Sequence, residues 1–196
     1  MTYRVVVLVS GSGTLLQSLV DARDDGRLHA ELVAVGADVE CEGVARARRA
    51  GIPTFVQPMG KLARRGTPER VSWDAALADE VAAHQPDLIV SAGFMKLFDA
   101  PFMERFQGRI INTHPALLPA FPGAHAVRDS LAAGATETGA SIFWVNDGVD
   151  TGELIAQCPV PVEPDDDEAT LHERIKVVER ALLVDVINQL AEENDR

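Results

Sequence analysis

Short aliphatic runs alternate with amphipathic stretches through the first half of the chain. Residues 4–9, RVVVLV, predict a buried strand, and the glycine-rich turn SGSGT separates that strand from a periodic helical stretch that starts near Leu15. The same order then repeats, with strands predicted at 31–37, 52–56 and 86–93 and helices at 41–50 and 67–84. Because strands that alternate with helices of this length are joined by right-handed crossovers, the pattern predicts parallel strands with helices on both faces.

The second half begins with another predicted strand, GRIINTHP at 108–115, and then changes character. The prolines of PALLPAFPG exclude a helix and predict an ordered loop. After a short helix at 125–134, two strands at 138–146 and 153–162 are joined by DGVDTG and are expected to pair antiparallel. A final amphipathic helix starts at about Asp167. We therefore expect an α/β fold with an open, mostly parallel, twisted sheet of Rossmann-like type and an antiparallel C-terminal strand pair.

Composition and charge limit the class of protein. The 196 residues are 46% hydrophobic and 24% charged, which fits one globular domain. No apolar run reaches the ~18 residues of a membrane helix, no signal peptide is visible, and the 2 cysteines are expected to be reduced thiols in a cytoplasmic protein.

Acidic side chains outnumber basic ones, and this limits the partners. The 30 Asp and Glu against 18 Lys and Arg give a formal net charge of −12 at pH 7. Such a surface repels both a nucleic-acid backbone and an anionic membrane. We therefore expect small-molecule substrates, no nucleic-acid or membrane partner, and a chain that acts as a monomer or a homodimer.

The SGSGT turn lies where an α/β sheet commonly binds phosphate, because free backbone N–H groups and the helix dipole both face the ligand there. A dinucleotide fingerprint would place a third glycine where this chain has Leu16, and the lysine of a P-loop is missing. The turn therefore favours a monophosphate bound by the N–H groups of Gly13, Thr14 and Leu15. The alternative is a tight strand-to-helix connection without a ligand.

Asn112 and His114 lie two residues apart in a predicted strand and so project to the same face near its carboxyl end, where open α/β sheets bind ligands. The DGVDTG turn adds Asp147 and Asp150. These groups suit acyl-type transfer, because Asn112 and a protonated His114 could donate to the oxygen of a tetrahedral intermediate. Asp150 would keep the imidazole cationic. The alternative is that the polar pair only caps neighbouring turns.

Metal ligation is the other chemistry open to these residues. His114, the nearby His125 and Asp150 could form a zinc site. None of the short ligand spacings that are typical of zinc is present, so we expect no metal.

Four segments, in this order, carry a resemblance to a known family. SGSGTLLQSL, AGFMKLF, NTHPALLPAFPG and DGVDTGELIAQ together resemble the phosphoribosylglycinamide (glycinamide ribonucleotide) formyltransferases of purine biosynthesis, and the likeness spans nearly the whole chain. The resemblance implies that 10-formyltetrahydrofolate gives its formyl group to the amine of 5-phosphoribosylglycinamide, without a metal. It also implies a single formyltransferase domain over 1–196, with a phosphate-binding half at about 1–100 and a folate and catalytic half at about 101–196.

The resemblance assigns roles position by position. It implies that His114 is the proton donor, that Asp150 holds its charge, and that Asn112 completes the catalytic trio. The residues implied for phosphoribosylglycinamide are Gly13, Thr14, Leu15 and Glu179, the last at the glycinamide end. The residues implied for folate are Arg70, Met95, Lys96, Leu97, Phe98, Asn112 and Asp147, with the 95–98 segment as flat apolar walls for the pterin ring.

Three positions depart from the better-known members of the family. Leu15 stands where an asparagine often occurs, which removes a side-chain contact to phosphate but keeps the N–H group. Phe143 occupies the place of a familiar histidine. Lys96 replaces an arginine and loses bidentate geometry.

Other functions remain open at this point. Methionyl-tRNA formyltransferase and formyltetrahydrofolate hydrolase share the trio, but the first would have a further C-terminal domain and a basic surface, and the second an extra N-terminal domain. A non-catalytic sugar-phosphate sensor could use the same first turn. A nicotinamide-dependent dehydrogenase is disfavoured by Leu16.

Overall fold

A seven-stranded sheet lies at the centre of the computed structural model, which describes residues 2–194 and 196 of the chain. The strands are β1 (Tyr3–Val9), β2 (Ala30–Ala37), β3 (Thr54–Val56), β4 (Leu88–Ser91), β5 (Ile110–His114), β6 (Glu137–Trp144) and β7 (Leu154–Pro161). The helices are α1 (Thr14–Asp24), α2 (Glu42–Arg49), α3 (Pro68–Ala83), α4 (Ala100–Phe106), α5 (Ala126–Ala132) and α6 (Glu168–Asn194). Across the sheet the strand order is β3-β2-β1-β4-β5-β6-β7.

The central strand of the parallel half is β1, with β2 on one side and β4 on the other. Its side chains alternate between two cores. Val5, Val7 and Val9 belong to the core that includes residues of α1 and α6, whereas Val6 and Leu8 belong to the core that includes residues of α3 and α4. The continuous aliphatic run of β1 is therefore explained by burial on both faces of the sheet, and the predicted fold class is confirmed.

The sheet changes direction after β5. β4 and β5 are parallel, whereas β6 pairs antiparallel with β5, and β7 pairs antiparallel with β6. The predicted antiparallel C-terminal pair is confirmed. The antiparallel pairing of β5 with β6 was not predicted, because a long connection between two strands does not reveal their relative direction.

The sequence pattern does not predict α4. This helix has only 7 residues, which is too short for a clear helical period. Its N-cap is Asp99, and a proline lies in its first turn. Phe102, Met103 and Phe106 nevertheless bury its inner face in the core of α3.

The carboxyl ends of the parallel strands meet at one edge of the sheet. Ser10 follows β1, Asp38 follows β2, the segment 92–99 follows β4, and His114 is the last residue of β5. This is the edge at which open α/β sheets bind their ligands.

The longest helix, α6, has 27 residues and packs against β6, β7 and α1. Its buried positions include Leu171, Ile175 and Leu183, as the amphipathic pattern predicts. In the described part of the chain, neither α6 nor any shorter helix combines the length and the apolarity that crossing a membrane requires.

The close approach of β6 and β7 gives a prediction about Gly139. A Cβ at Gly139 would overlap the carbonyl oxygen of Cys158 on β7 and come within 2.8 Å of Leu117, so Gly139→Ala has to displace backbone. We expect the free energy of unfolding in urea to fall by about 1–3 kcal/mol. Gly60→Ala is the matched control, since its Cβ meets no atom within 4 Å, and it should change stability by less than about 0.5 kcal/mol. Equal effects of the two substitutions would contradict this packing.

Candidate active site

A buried imidazole and a carboxylate meet at the end of β5. His114 Nδ1 lies 3.4 Å from Asp150 Oδ2, and the two side chains are 5% and 12% exposed. His114 Nε2 lies 2.7 Å from the carbonyl oxygen of Phe121. A carbonyl oxygen can only accept a hydrogen bond, so Nε2 carries a hydrogen and Nδ1 faces the carboxylate. The structure therefore brings together the two titratable groups that the sequence predicts.

The proline-rich loop closes over this pair. The N–H group of Gly123 donates to Asp150 Oδ2 at 2.8 Å, so one loop contacts both the imidazole and the carboxylate. Phe121 and Asp150 both adopt positive φ angles, 53° and 52°, a region that non-glycine residues rarely occupy. Uncommon backbone geometry at both residues that approach His114 is typical of a functional site.

Two side chains that sequence reasoning missed fasten this loop to the sheet. The hydroxyl of Ser141 on β6 donates to the carbonyl of Ala116 at 2.6 Å and accepts from the N–H group of Leu118 at 3.0 Å. Gln157 on β7 donates to the carbonyl of Leu118 at 2.9 Å. The pattern of the sequence contains no sign of these roles, because they depend on the antiparallel register of β5, β6 and β7.

The turn that carries Asp150 is closed by Asn146, which sequence reasoning also missed. The Asn146 side-chain oxygen accepts from the N–H group of Gly148 at 3.0 Å and from the Thr151 hydroxyl at 2.9 Å. An asparagine directly before Asp-Gly is a signal that could have found it. At Gly152 a Cβ would overlap the carbonyl oxygen of Trp144, so glycine is required where the chain re-enters the sheet.

Glu179 approaches β5 from α6. Its side chain is buried close to the Thr113 hydroxyl of β5. Burial raises the pKa of Glu179 above its ordinary value, while the hydrogen bond from Thr113 and the charges of Arg180 and His114 offset part of the effect. Because neighbouring residues of a strand face opposite sides, Glu179 meets the side of β5 opposite to Asn112. Its contact with the glycinamide end of a substrate stays a prediction.

The predicted phosphate turn forms the start of α1. Gly13 is the N-cap of this helix with φ of 66°, and a Cβ there would lie 2.5 Å from the Cα of Gly43 on α2. The first N–H groups of a helix have no acceptor within it, so those of Gly13, Thr14 and Leu15 are positioned to bind an anion. No acidic residue lies in the first turn of α1 to oppose one.

Arg46 on α2 braces this turn and was not predicted. Its Nε donates to the carbonyl of Ser12 at 2.9 Å, and its Nη1 donates to the side-chain oxygen of Gln17 at 3.0 Å. A guanidinium therefore lies beside the phosphate turn. In the sequence this arginine is one of three in ARARR, and nothing there separates it from ordinary helix-surface charge.

The 95–98 segment after β4 is only partly as predicted. Met95 and Leu97 are 76% and 45% exposed, which leaves two apolar side chains free to contact a flat ring. Phe98 is a correction, because its ring is buried and stacks on Phe94 and Phe102 with centroid distances of 5.6 and 4.4 Å. It is a core residue and does not offer a wall to a ligand.

The two basic side chains predicted for folate also differ from expectation. The Lys96 ammonium turns to the Asp38 carboxylate, at 2.9 Å, and so lies toward the end of β2. Arg70 is buried, pairs with Asp74 and donates to the carbonyl of Leu97. The structure therefore places Arg70 beneath the 95–98 segment as a support, away from the open face expected for a ligand.

Of the remaining predicted residues, Asn112 lies half-buried on β5 between Ser91 and Phe143, and Asp147 is exposed in the turn before Asp150. His125, the N-cap of α5, is exposed. Among the residues that the structure describes, no three His, Cys, Asp or Glu side chains are grouped as a metal site.

The sequence profile of the formyl transferase family matches residues 3–187. The chain belongs to this family. The phosphoribosylglycinamide formyltransferase of Mycobacterium tuberculosis (strain ATCC 25618 / H37Rv) is 53% identical over 96% of the chain and 85% of its own length. The enzyme of the same name from Escherichia coli (strain K12) is 35% identical over 96% of the chain and 87% of its own length.

A solved structure supports the assignment to the formyl transferase family. The crystal structure of glycinamide ribonucleotide transformylase 1 from Symbiobacterium toebii superposes with a TM-score of 0.90 at 38% identity, and the match covers 98% of this chain and 89% of that one. The fold of this formyl transferase is therefore shared along almost its entire length with that enzyme.

The burial of Glu179 gives a prediction about stability and pH. Because its pKa is raised in the folded protein, its contribution to the free energy of unfolding is complete below the ordinary glutamate range of about 4.3 and is lost as pH rises through the folded pKa. Glu179→Gln should therefore gain stability relative to the original chain as pH increases from 5 to 8, measured by urea unfolding.

Glu173→Gln on the same helix is the matched control. The hydrogen bond from Lys176 lowers the pKa of the exposed Glu173, so its contribution is present above the ordinary range and lost in acid. Between pH 5 and 8 this variant should therefore show no pH-dependent change in relative stability, and a change should appear only in acid, below about 4.3, with the opposite sign. If the difference in the free energy of unfolding between Glu179→Gln and the original chain did not change with pH, the raised pKa of the buried Glu179 would be contradicted.

Proposed function

We propose that this chain transfers the formyl group of 10-formyltetrahydrofolate to the amine of 5-phosphoribosylglycinamide in purine biosynthesis. The observation that carries the proposal is the His114–Asp150 pair, 3.4 Å apart at the end of β5. It lies beside the exposed 95–97 segment that follows the neighbouring strand β4, on the same edge of the sheet as the phosphate turn. The relatives named phosphoribosylglycinamide formyltransferase support the choice of acceptor.

The two substrates would bind at the carboxyl edge of the sheet, beside the ends of β1, β4 and β5. The phosphate of phosphoribosylglycinamide would bind the N–H groups of Gly13, Thr14 and Leu15 at the positive end of α1. The pterin of the folate would lie against Met95 and Leu97, whose side chains are exposed. The amine and the formyl carbon would then meet near Asn112 and His114, which lie on β5 next to β4.

The reaction needs a donor for a developing oxyanion. The amine nitrogen attacks the formyl carbon, a C–N bond forms, and the C=O π electrons move to oxygen. The Asn112 amide and the Nε2–H group of His114 stabilise that charge, and Asp150 stabilises the imidazolium. The oxyanion then re-forms the C=O bond as the bond from carbon to N10 breaks. N10 takes up the proton that the attacking amine loses, so tetrahydrofolate leaves and the formyl group remains on the product.

One hydrogen bond must be exchanged before this can occur. The Nε2–H group of His114 now donates to the carbonyl of Phe121, and it has no second hydrogen to offer. The formyl oxygen therefore has to replace the Phe121 carbonyl. The proline-rich loop must shift at Phe121 when the folate binds, while Gly123 can keep its hydrogen bond to Asp150.

The direct test is release of tetrahydrofolate from 10-formyltetrahydrofolate with and without phosphoribosylglycinamide. We expect release that depends on the acceptor and yields formylated product in equal amount. His114→Ala should lower kcat by about 10²–10³-fold, because the oxyanion loses one hydrogen-bond donor and its charge, with a smaller change in KM.

His29→Ala is the control, since this exposed histidine lies beside Glu192 on α6 and away from β5. It should leave kcat unchanged. Release that ignores the acceptor would point to a hydrolase, and full activity in His114→Ala would overturn the proposed chemistry.

A further inference from the structure

Three polar side chains link the carboxyl ends of three neighbouring strands. Ser10 follows β1, Asp38 follows β2, and Lys96 lies in the segment after β4. The Ser10 hydroxyl donates to Asp38 Oδ1 at 2.6 Å, and the Lys96 ammonium lies 2.9 Å from Asp38 Oδ2. One carboxylate thus joins the start of the phosphate turn to the 95–98 segment.

The backbone closes the same connection into a ring. The N–H group of Met95 donates to the Ser10 hydroxyl at 2.9 Å, and the N–H group of Ser10 donates to the carbonyl of Gly93 at 3.2 Å. The position of the exposed Met95 is therefore set by the first residue of the phosphate turn. A displacement of Ser10 would therefore also displace the 95–98 segment.

The charges of this cluster matter because an anion is expected next to it. The Asp38 carboxylate is only 7% exposed and accepts a hydrogen bond from Ser10, the first residue of the turn whose N–H groups would face the phosphate. A buried carboxylate needs a partner, and an unneutralised one would repel a phosphate nearby. Lys96 is the cation that lies within 4 Å of it among the described residues.

We propose that Lys96 is a positioning residue of the phosphate subsite, which neutralises the Asp38 carboxylate beside the start of the phosphate turn. The inference deepens the proposed function and rests on it for the identity of the ribonucleotide. It reassigns the Lys96 side chain, which the sequence places with folate.

The two single substitutions leave opposite charges at the site, so they distinguish a charge role of Lys96 from a purely structural ion pair. Lys96→Met leaves an uncompensated negative charge beside the anion site, whereas Asp38→Asn leaves a positive one. If the pair only held the fold together, removal of either partner would weaken ligand binding alike. If Lys96 serves the phosphate subsite, only loss of the lysine should do so.

The experiment measures calorimetric Kd values for phosphoribosylglycinamide and for tetrahydrofolate separately, in the complete chain. Lys96→Met should weaken the ribonucleotide on the order of tenfold and tetrahydrofolate much less. Asp38→Asn should not weaken the ribonucleotide. The double variant Lys96→Met, Asp38→Asn should recover most of the loss, and Lys96→Arg should bind like the original chain. Thermal unfolding of each variant confirms that it is folded.

Two results would overturn the inference. In one, Lys96→Met weakens tetrahydrofolate and leaves the ribonucleotide unchanged, which makes Lys96 a folate ligand. In the other, the double variant binds the ribonucleotide no better than Lys96→Met, which makes the pair structural.

A parallel titration with ribose 5-phosphate separates this inference from the proposed function. A chain that binds ribose 5-phosphate with the same variant pattern, yet transfers no formyl group, would refute the function and support the inference. A chain that transfers formyl groups but lacks the pattern would refute the inference alone.

Discussion

Burial of the His114 imidazole is the constraint on which the rest of the site depends. The side chain is 5% exposed, and an imidazole removed from water needs a partner for each ring nitrogen. Asp150 and the carbonyl of Phe121 supply these partners from two different loops. To bring both groups to one ring, the chain holds Phe121 and Asp150 in the left-handed region, which is a cost that the surrounding hydrogen bonds have to offset.

The two halves of the sheet make different contributions. The antiparallel end holds the reacting groups in place, since Ser141 lies opposite His114 in the β5–β6 register and binds the proline-rich loop, and the β6–β7 turn carries Asp150. The parallel half supplies the turns after β1 and β4, where the first N–H groups of α1 and the exposed side chains of Met95 and Leu97 lie. β5 belongs to both halves, so its polar end lies next to the segment that follows β4.

Strong local sequence patterns made much of the fold and part of the candidate site predictable. The aliphatic run of β1 reveals a strand buried on both faces, and the spacing of Asn112 and His114 reveals a shared face. What escaped prediction depends on contacts between residues far apart in the sequence or on a short element. The helix α4 is too short to show a helical period, and the burial of Phe98 follows from its stacking on Phe94 and Phe102. The direction of the Lys96 side chain follows from the position of the Asp38 carboxylate. The ligand contacts of the predicted residues remain predictions.

The most direct measurement is a crystal structure with phosphoribosylglycinamide and a folate analogue whose formyl-like group cannot leave. The account predicts the phosphate on the N–H groups at the start of α1, the pterin against Met95, and the analogue's carbonyl oxygen about 3 Å from His114 Nε2 in place of the Phe121 carbonyl. A complex in which His114 still donates to Phe121, with the reacting carbon bound elsewhere, would contradict it.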